Sequence, residues 1–85
     1  MYKISFKESA RKEFYSLPKK AVQKISIAID ALQNDPRPIG VKKLKGQSHP
    51  LWRIRIGDYR VVYSIDDAIY IVNITRVGHR KDIYE

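Results

Sequence analysis

The chain has 85 residues, no cysteine, and 17 Lys and Arg against 9 Asp and Glu, a formal charge of +8. That length makes one small domain over residues 1–85, burying only about 60–65% of its unfolded surface. The missing cysteines exclude a disulfide framework and a thiolate metal site. No window approaches the length of a membrane span and MYKISFKESARKEF carries no apolar signal core, so a cytoplasmic protein is expected.

The opening YKISF alternates and is rich in strand formers, which predicts a first strand. Ser5 and Glu8 have capping-box spacing, and Ala10, Phe14 and Leu17 recur at helical intervals, giving an amphipathic helix over roughly residues 8–16. Pro18 suits the first turn of a second helix. Ala21, Val22, Ile25, Ala28, Ile29 and Leu32 form its apolar stripe, and Asn34-Asp35-Pro36 ends it. The connector 36–50, PRPIGVKKLKGQSHP, holds three of the four prolines and two of the four glycines. Three runs of strand character follow, at 51–56, 59–65 and 68–76. The order β-α-α-β-β-β predicts an α+β domain, with a helical hairpin packed on one face of a mostly antiparallel four-stranded sheet.

Gly57-Asp58 is a two-residue turn with glycine first, as a type II′ hairpin wants. The register then pairs Ile56 with Tyr59, Arg55 with Arg60, Ile54 with Val61, Arg53 with Val62 and Trp52 with Tyr63. Opposed residues share a face. One face is therefore Trp52, Ile54, Ile56, Tyr59, Val61 and Tyr63, which belongs against the helices. Arg53, Arg55, Arg60, Val62 and Ser64 occupy the other, which the helices leave open. Arg55 opposite Arg60 costs a few tenths of a kcal/mol up to about 1, and a bound phosphate offsets it, because paired guanidinium forks grip an oxyanion. With Asp66-Asp67 as the next turn, Tyr63 faces Tyr70, Val61 faces Val72 and Arg60 faces Asn73. Gly78 permits a tight change of direction, and any of His79, Arg80 and Tyr84 that folds back over the open face would join the arginines.

Between Lys42 and Arg60 six basic residues (Lys42, Lys43, Lys45, Arg53, Arg55 and Arg60) meet one acid, Asp58. Such a field favours a polyanion, nucleic acid or an acidic protein, over a merely solubilising surface. His49 and His79 are the only histidines and neither adjoins a carboxylate cluster, so no metal or other cofactor is expected. There is no nucleophile–His–acid set and no glycine-rich phosphate loop. Arg, Tyr and His suit phosphodiester chemistry: they orient the phosphate, neutralise a phosphorane and move a proton. RNA supplies its own nucleophile in the 2′-OH.

The whole chain resembles the RelE branch of the RelE/ParE toxin superfamily. The resemblance is carried by the element order, the Leu17-Pro18 step, the NDP end of helix two, KKLKG at 42–46, LWRIRIGDYRVVY at 51–63 and VGHRKDIY at 77–84. It implies a toxin that enters the ribosomal A site and cleaves mRNA by 2′-OH attack, leaving a 2′,3′-cyclic phosphate and a 5′-hydroxyl. It also implies a cognate antitoxin, RelB-like or of another class, wrapped around the toxin. By position, Arg53 and Arg55 match the two basic residues of the family's second strand. Arg60 matches the arginine expected on the scissile phosphate, Arg80 the one that stabilises the leaving group or donates a proton, and Tyr84 the tyrosine that contacts the substrate nucleotide. Well-known members carry lysines on that strand, one of them assigned as general base. A guanidinium stays protonated at any working pH, so Arg55 does not replace it, and His79 is the candidate base. Lys42, Lys43, Lys45 and Asn73 complete the expected RNA-binding set. Two other functions fit the same fold: a ParE-like inhibitor of DNA gyrase with no nuclease chemistry, and a silent relative that binds only its antitoxin or RNA.

Overall fold

A computed structural model describes residues 1–46 and 48–83. Among them the chain forms β1 (Lys3–Phe6), α1 (Glu8–Tyr15), α2 (Lys19–Ala31), β2 (Lys42–Lys43), β3 (Trp52–Ile56), β4 (Tyr59–Asp66) and β5 (Ile71–His79). The sheet order is β1-β5-β4-β3-β2; β1 runs parallel to β5 and every other pair is antiparallel. The α+β class agrees with expectation. The strand count rises to five because Lys42 and Lys43, inside the connector, pair with Arg53 and Trp52.

The helix ends differ from the sequence reading. Ser5 lies within β1 and the α1 N-cap is Lys7, which has no side-chain cap, so the capping box does not form. Pro18 is the N-cap of α2 rather than a first-turn residue, and its carbonyl accepts from the Val22 N–H. The apolar stripes do what their spacing dictates. Ala10, Phe14, Ala21, Ile25, Ile29 and Leu32 bury against Ile54, Val61, Tyr63, Val72, Ile74 and Val77.

The β3–β4 hairpin has all five expected cross-strand pairs, and Gly57 takes the positive φ (59°) that its turn requires. The β4–β5 hairpin does not follow the expected register. Asp66 pairs with Ile71, across a loop of Asp67 to Tyr70. The Asp66 carboxylate accepts the Ala68 and Ile69 N–H groups, and Asp67 is taken up by Arg37 and Tyr2, so neither aspartate forms a tight two-residue turn. Tyr63 therefore pairs with Ile74 and Asn73 with Ser64. A bulge then leaves Thr75 as the extra residue, its hydroxyl donating to the Val62 carbonyl. Beyond the bulge the faces of β5 exchange: Arg76 pairs with Val62, Val77 with Val61, Gly78 with Arg60, and His79 with Tyr59.

Two ties fix the periphery. The Glu13 carboxylate of α1 accepts from the Val77 N–H and pairs with the Arg76 guanidinium at 3.0 Å, closing the edge of β5 that β1 does not reach. Arg37 pairs with Asp67 at 2.9 Å and lies 4.9 Å over the Trp52 ring, holding the connector to the sheet. The Arg37 guanidinium, and then the Tyr2 hydroxyl, hold the Asp67 carboxyl below its ordinary range.

Candidate phosphate-binding face

The face of the sheet away from the helices is a grid set by the pairing. One row runs Lys42, Arg53, Val62, Arg76, and the next runs Arg55, Arg60, Gly78. Arg80 continues past the second row: its N–H donates to the Asp58 carbonyl at 2.7 Å, and its Nε lies 3.7 Å from Asp58 Oδ1. The hairpin turn thus brings Arg55, Arg60 and Arg80 to one end of the sheet. Arg60 is held there, its Nη1 donating to the Gly57 and Tyr59 carbonyls at 3.0 and 2.9 Å.

Arg53 departs from the expected exposed surface. It is only 3% exposed, while Arg55 is open to solvent. The added strand β2 is the reason the sequence gives no warning: Arg53 pairs with Lys42 on one side and Val62 on the other, so its strand is not at the sheet edge. A second apolar cluster of Leu44, Val62 and Ile83, with Leu51 against it, lies apart from the helix–sheet core. Ile83 reaches it because Gly78 has no side chain: a Cβ there would stand 3.2 Å from Ile83 Cδ1. Gly78 serves by close approach, not by an unusual φ. Together with Lys42, Arg53 and Arg55 also line a groove of about 600 Å³ that runs past Ile54 and Ile56 to Ala28 and Ala31 of α2.

Other expected site residues are not brought together. Lys43 shares the helix-side face with Trp52, its Nζ 5.7 Å over the ring, while Lys45 is exposed in the connector. Asn73 is on the correct face but opposite Ser64, four residues along β4 from Arg60, so it does not adjoin the arginine pair. His79 is carried by the bulge to the helix side. Its ring stands edge-on to Tyr59 at 5.7 Å, and its Nδ1 accepts from the Lys81 N–H at 3.1 Å. That position does not suit a base for the arginine face. Tyr84 lies outside the described residues. Sequence reasoning missed Arg76, whose orientation depends on the bulge, and Asp58, which reads as a turn residue but contacts Arg80. No group of three or more His, Cys, Asp or Glu among the described residues is placed to hold a metal ion, and none of their helices is long and apolar enough to cross a membrane.

The fold and the basic face define a class. Residues 4–84 match the family model described as ParE toxin of type II toxin–antitoxin system, parDE, and the chain belongs to the RelE/ParE superfamily of toxins. Among named relatives it is 34% identical to Toxin RelG of Mycobacterium tuberculosis, covering 98% of this chain and 95% of that protein. It is 33% identical to Toxin RelE of the same organism, covering 98% and 86%. The archaeal RelE–RelB complex from Pyrococcus horikoshii superposes with a TM-score of 0.81 at 30% identity, covering 96% and 98% of the two chains. The isolated Escherichia coli RelE toxin gives 0.80 at 26%, covering 93% and 84%.

Proposed function

We propose that this chain is a ribosome-dependent endoribonuclease of the RelE type, neutralised by a cognate antitoxin that covers its basic surface. The observation that carries the reading is the convergence of Arg55, Arg60 and Arg80 at one end of the helix-free face, where like charges oppose each other across the strands. That arrangement is unfavourable for the fold alone and favourable once a phosphodiester sits between the guanidinium groups. In the reaction, the substrate 2′-OH gives its proton to solvent water and attacks the adjacent phosphorus. The departing 5′-oxygen takes a proton from water as the P–O5′ bond breaks, and the products are a 2′,3′-cyclic phosphate and a 5′-hydroxyl. Arg60, tethered to the turn carbonyls, neutralises the phosphorane, and Arg80 stabilises the leaving oxygen. The protein's own groups bind and neutralise; the nucleophile belongs to the RNA, so the step needs no metal.

The test is cleavage of mRNA on programmed ribosomes, read by mapping the new 5′ ends. Arg60→Ala and Arg80→Ala each lower the cleavage rate by about 10²-fold or more, the size typical of losing one preorganised donor to a developing anion. Unchanged cleavage in folded variants overturns the site. The family-model match favours a second reading, inhibition of DNA gyrase. Under that reading purified chain blocks supercoiling and produces no new mRNA ends.

A further inference from the structure

We infer that His79 is a positioning residue for Arg80: its imidazole builds the turn that presents the guanidinium at the end of the arginine face. The inference rests on the phosphate-binding role of Arg80 proposed above. His79 organises the chain twice. Its carbonyl accepts from the Asp82 N–H at 2.8 Å, and its Nδ1 accepts from the Lys81 N–H at 3.1 Å. An Nδ1 that accepts leaves the ring proton of the neutral imidazole on Nε2. The ring is steadied by the edge-on contact with Tyr59, its cross-strand partner. Immediately after this residue, the Arg80 N–H is fixed by the Asp58 carbonyl at 2.7 Å, with the Asp58 carboxylate beside its Nε. Arg80 is thus gripped by the β3–β4 turn on one side and by the His79 turn on the other. The backbone from which this long side chain springs is held where the row of arginines ends, and small displacements of such a group cost much of its effect.

A side chain that accepts the N–H two residues on is the defining bond of an Asx-turn, and Asn Oδ1 is attached to Cγ as His Nδ1 is. Asparagine therefore reproduces the turn while removing any capacity of the imidazole to take up a proton. The two roles separate on that substitution.

The experiment uses the purified chain, wild type and the variants His79→Ala, His79→Asn, Asp58→Asn, Arg60→Ala, Arg80→Ala and His79→Ala with Arg80→Ala. Single-turnover mRNA cleavage on programmed ribosomes is measured beside amide exchange by NMR and thermal melting. Cleavage in His79→Ala falls about 10- to 100-fold and His79→Asn recovers most of it. Asp58→Asn falls in the same direction by a smaller factor. Adding His79→Ala to Arg80→Ala costs little more, because both act through one group. The Lys81 amide exchanges slowly in wild type and His79→Asn and faster in His79→Ala. Three results overturn the inference: His79→Asn as slow as His79→Ala with Lys81 still protected, full additivity with Arg80→Ala, or a Lys81 amide equally labile in wild type and His79→Ala. If wild type itself yields no cleavage, the function reading fails. The exchange data then still decide whether His79 builds the turn.

Discussion

Tyr63 is completely buried in the centre of the sheet, yet it carries a hydroxyl that must find a partner. It donates to the Pro36 carbonyl at 2.7 Å, twenty-seven residues away, and so fastens the start of the connector to the core. Tyr63→Phe keeps the packing and strands that carbonyl, at a cost of about 1–2 kcal/mol. For a domain this small the melting temperature falls by about 4–8 °C for each kcal/mol, which thermal denaturation reads directly. Burial pushes the Tyr63 hydroxyl well above the ordinary tyrosine pKa of 10.0. Its neutral form is thus the folded form. The stability it contributes is fully present below pH 10 and is lost as pH rises from there through the folded value. Unfolding in urea at a series of alkaline pH values shows this decline in wild type and a smaller one in Tyr63→Phe, where the raised Tyr2 hydroxyl still titrates. The reverse holds for exposed Asp67, lowered mainly by Arg37: its small contribution is present above the ordinary aspartate value of 3.8 and lost in acid.

At the scale of elements, the β3–β4 hairpin was readable from the chain because two signals agree. Alternation fixes which side chains share a face, and Gly57 fixes where the strands reverse, so a register follows with no freedom left. The last strand lacks both supports. Its turn is lengthened by side-chain bonds of Asp66 and Asp67, and the bulge at Thr75 inverts the faces beyond it. That single extra residue explains why His79 falls on the helix side and why Arg76 went unnoticed. The burial of Arg53 was hidden for a different reason: Lys42, from the connector, adds an edge strand beside it, so Arg53 lies inside the sheet. The hairpin also permits a direct measurement of what its charge costs. Arg55→Thr removes one of two opposed like charges and puts a strand former at an exposed position. The variant gains a few tenths to about 1 kcal/mol in stability, a melting rise of a few degrees, while its mRNA cleavage falls. A variant that loses both stability and activity contradicts the idea that the pair is kept for the phosphate.

For the whole molecule the proposed function leaves the question of which basic surface would meet RNA, because charge alone does not choose. The helical hairpin exposes Lys7, Arg11, Lys12, Lys19, Lys20 and Lys24, as many cations as the opposite face gathers. Among the described residues, three acids near the sheet are already engaged: Glu13 with Arg76, Asp67 with Arg37 and Asp58 with Arg80. Counterion release separates the two surfaces. Four contacts from Lys42, Arg55, Arg60 and Arg80 to a single strand give a slope of roughly −3 in log K against log salt, or about 50-fold weaker binding between 50 and 200 mM. An RNA oligonucleotide carrying 2′-O-methyl groups is bound without being cut, so the slope is measurable by fluorescence anisotropy. Replacing Arg55 and Arg60 together flattens it by roughly 1.4 if RNA lies on the sheet face. Replacing Lys20 and Lys24 does so instead if the helices bind, and that result would move the site to the other side of the domain. The sheet face is the expected answer because the fold fixes its cations or their backbone, the Arg60 guanidinium by two carbonyls and the Arg80 backbone by the turn. Charges already fixed in place lose less freedom when a phosphate arrives.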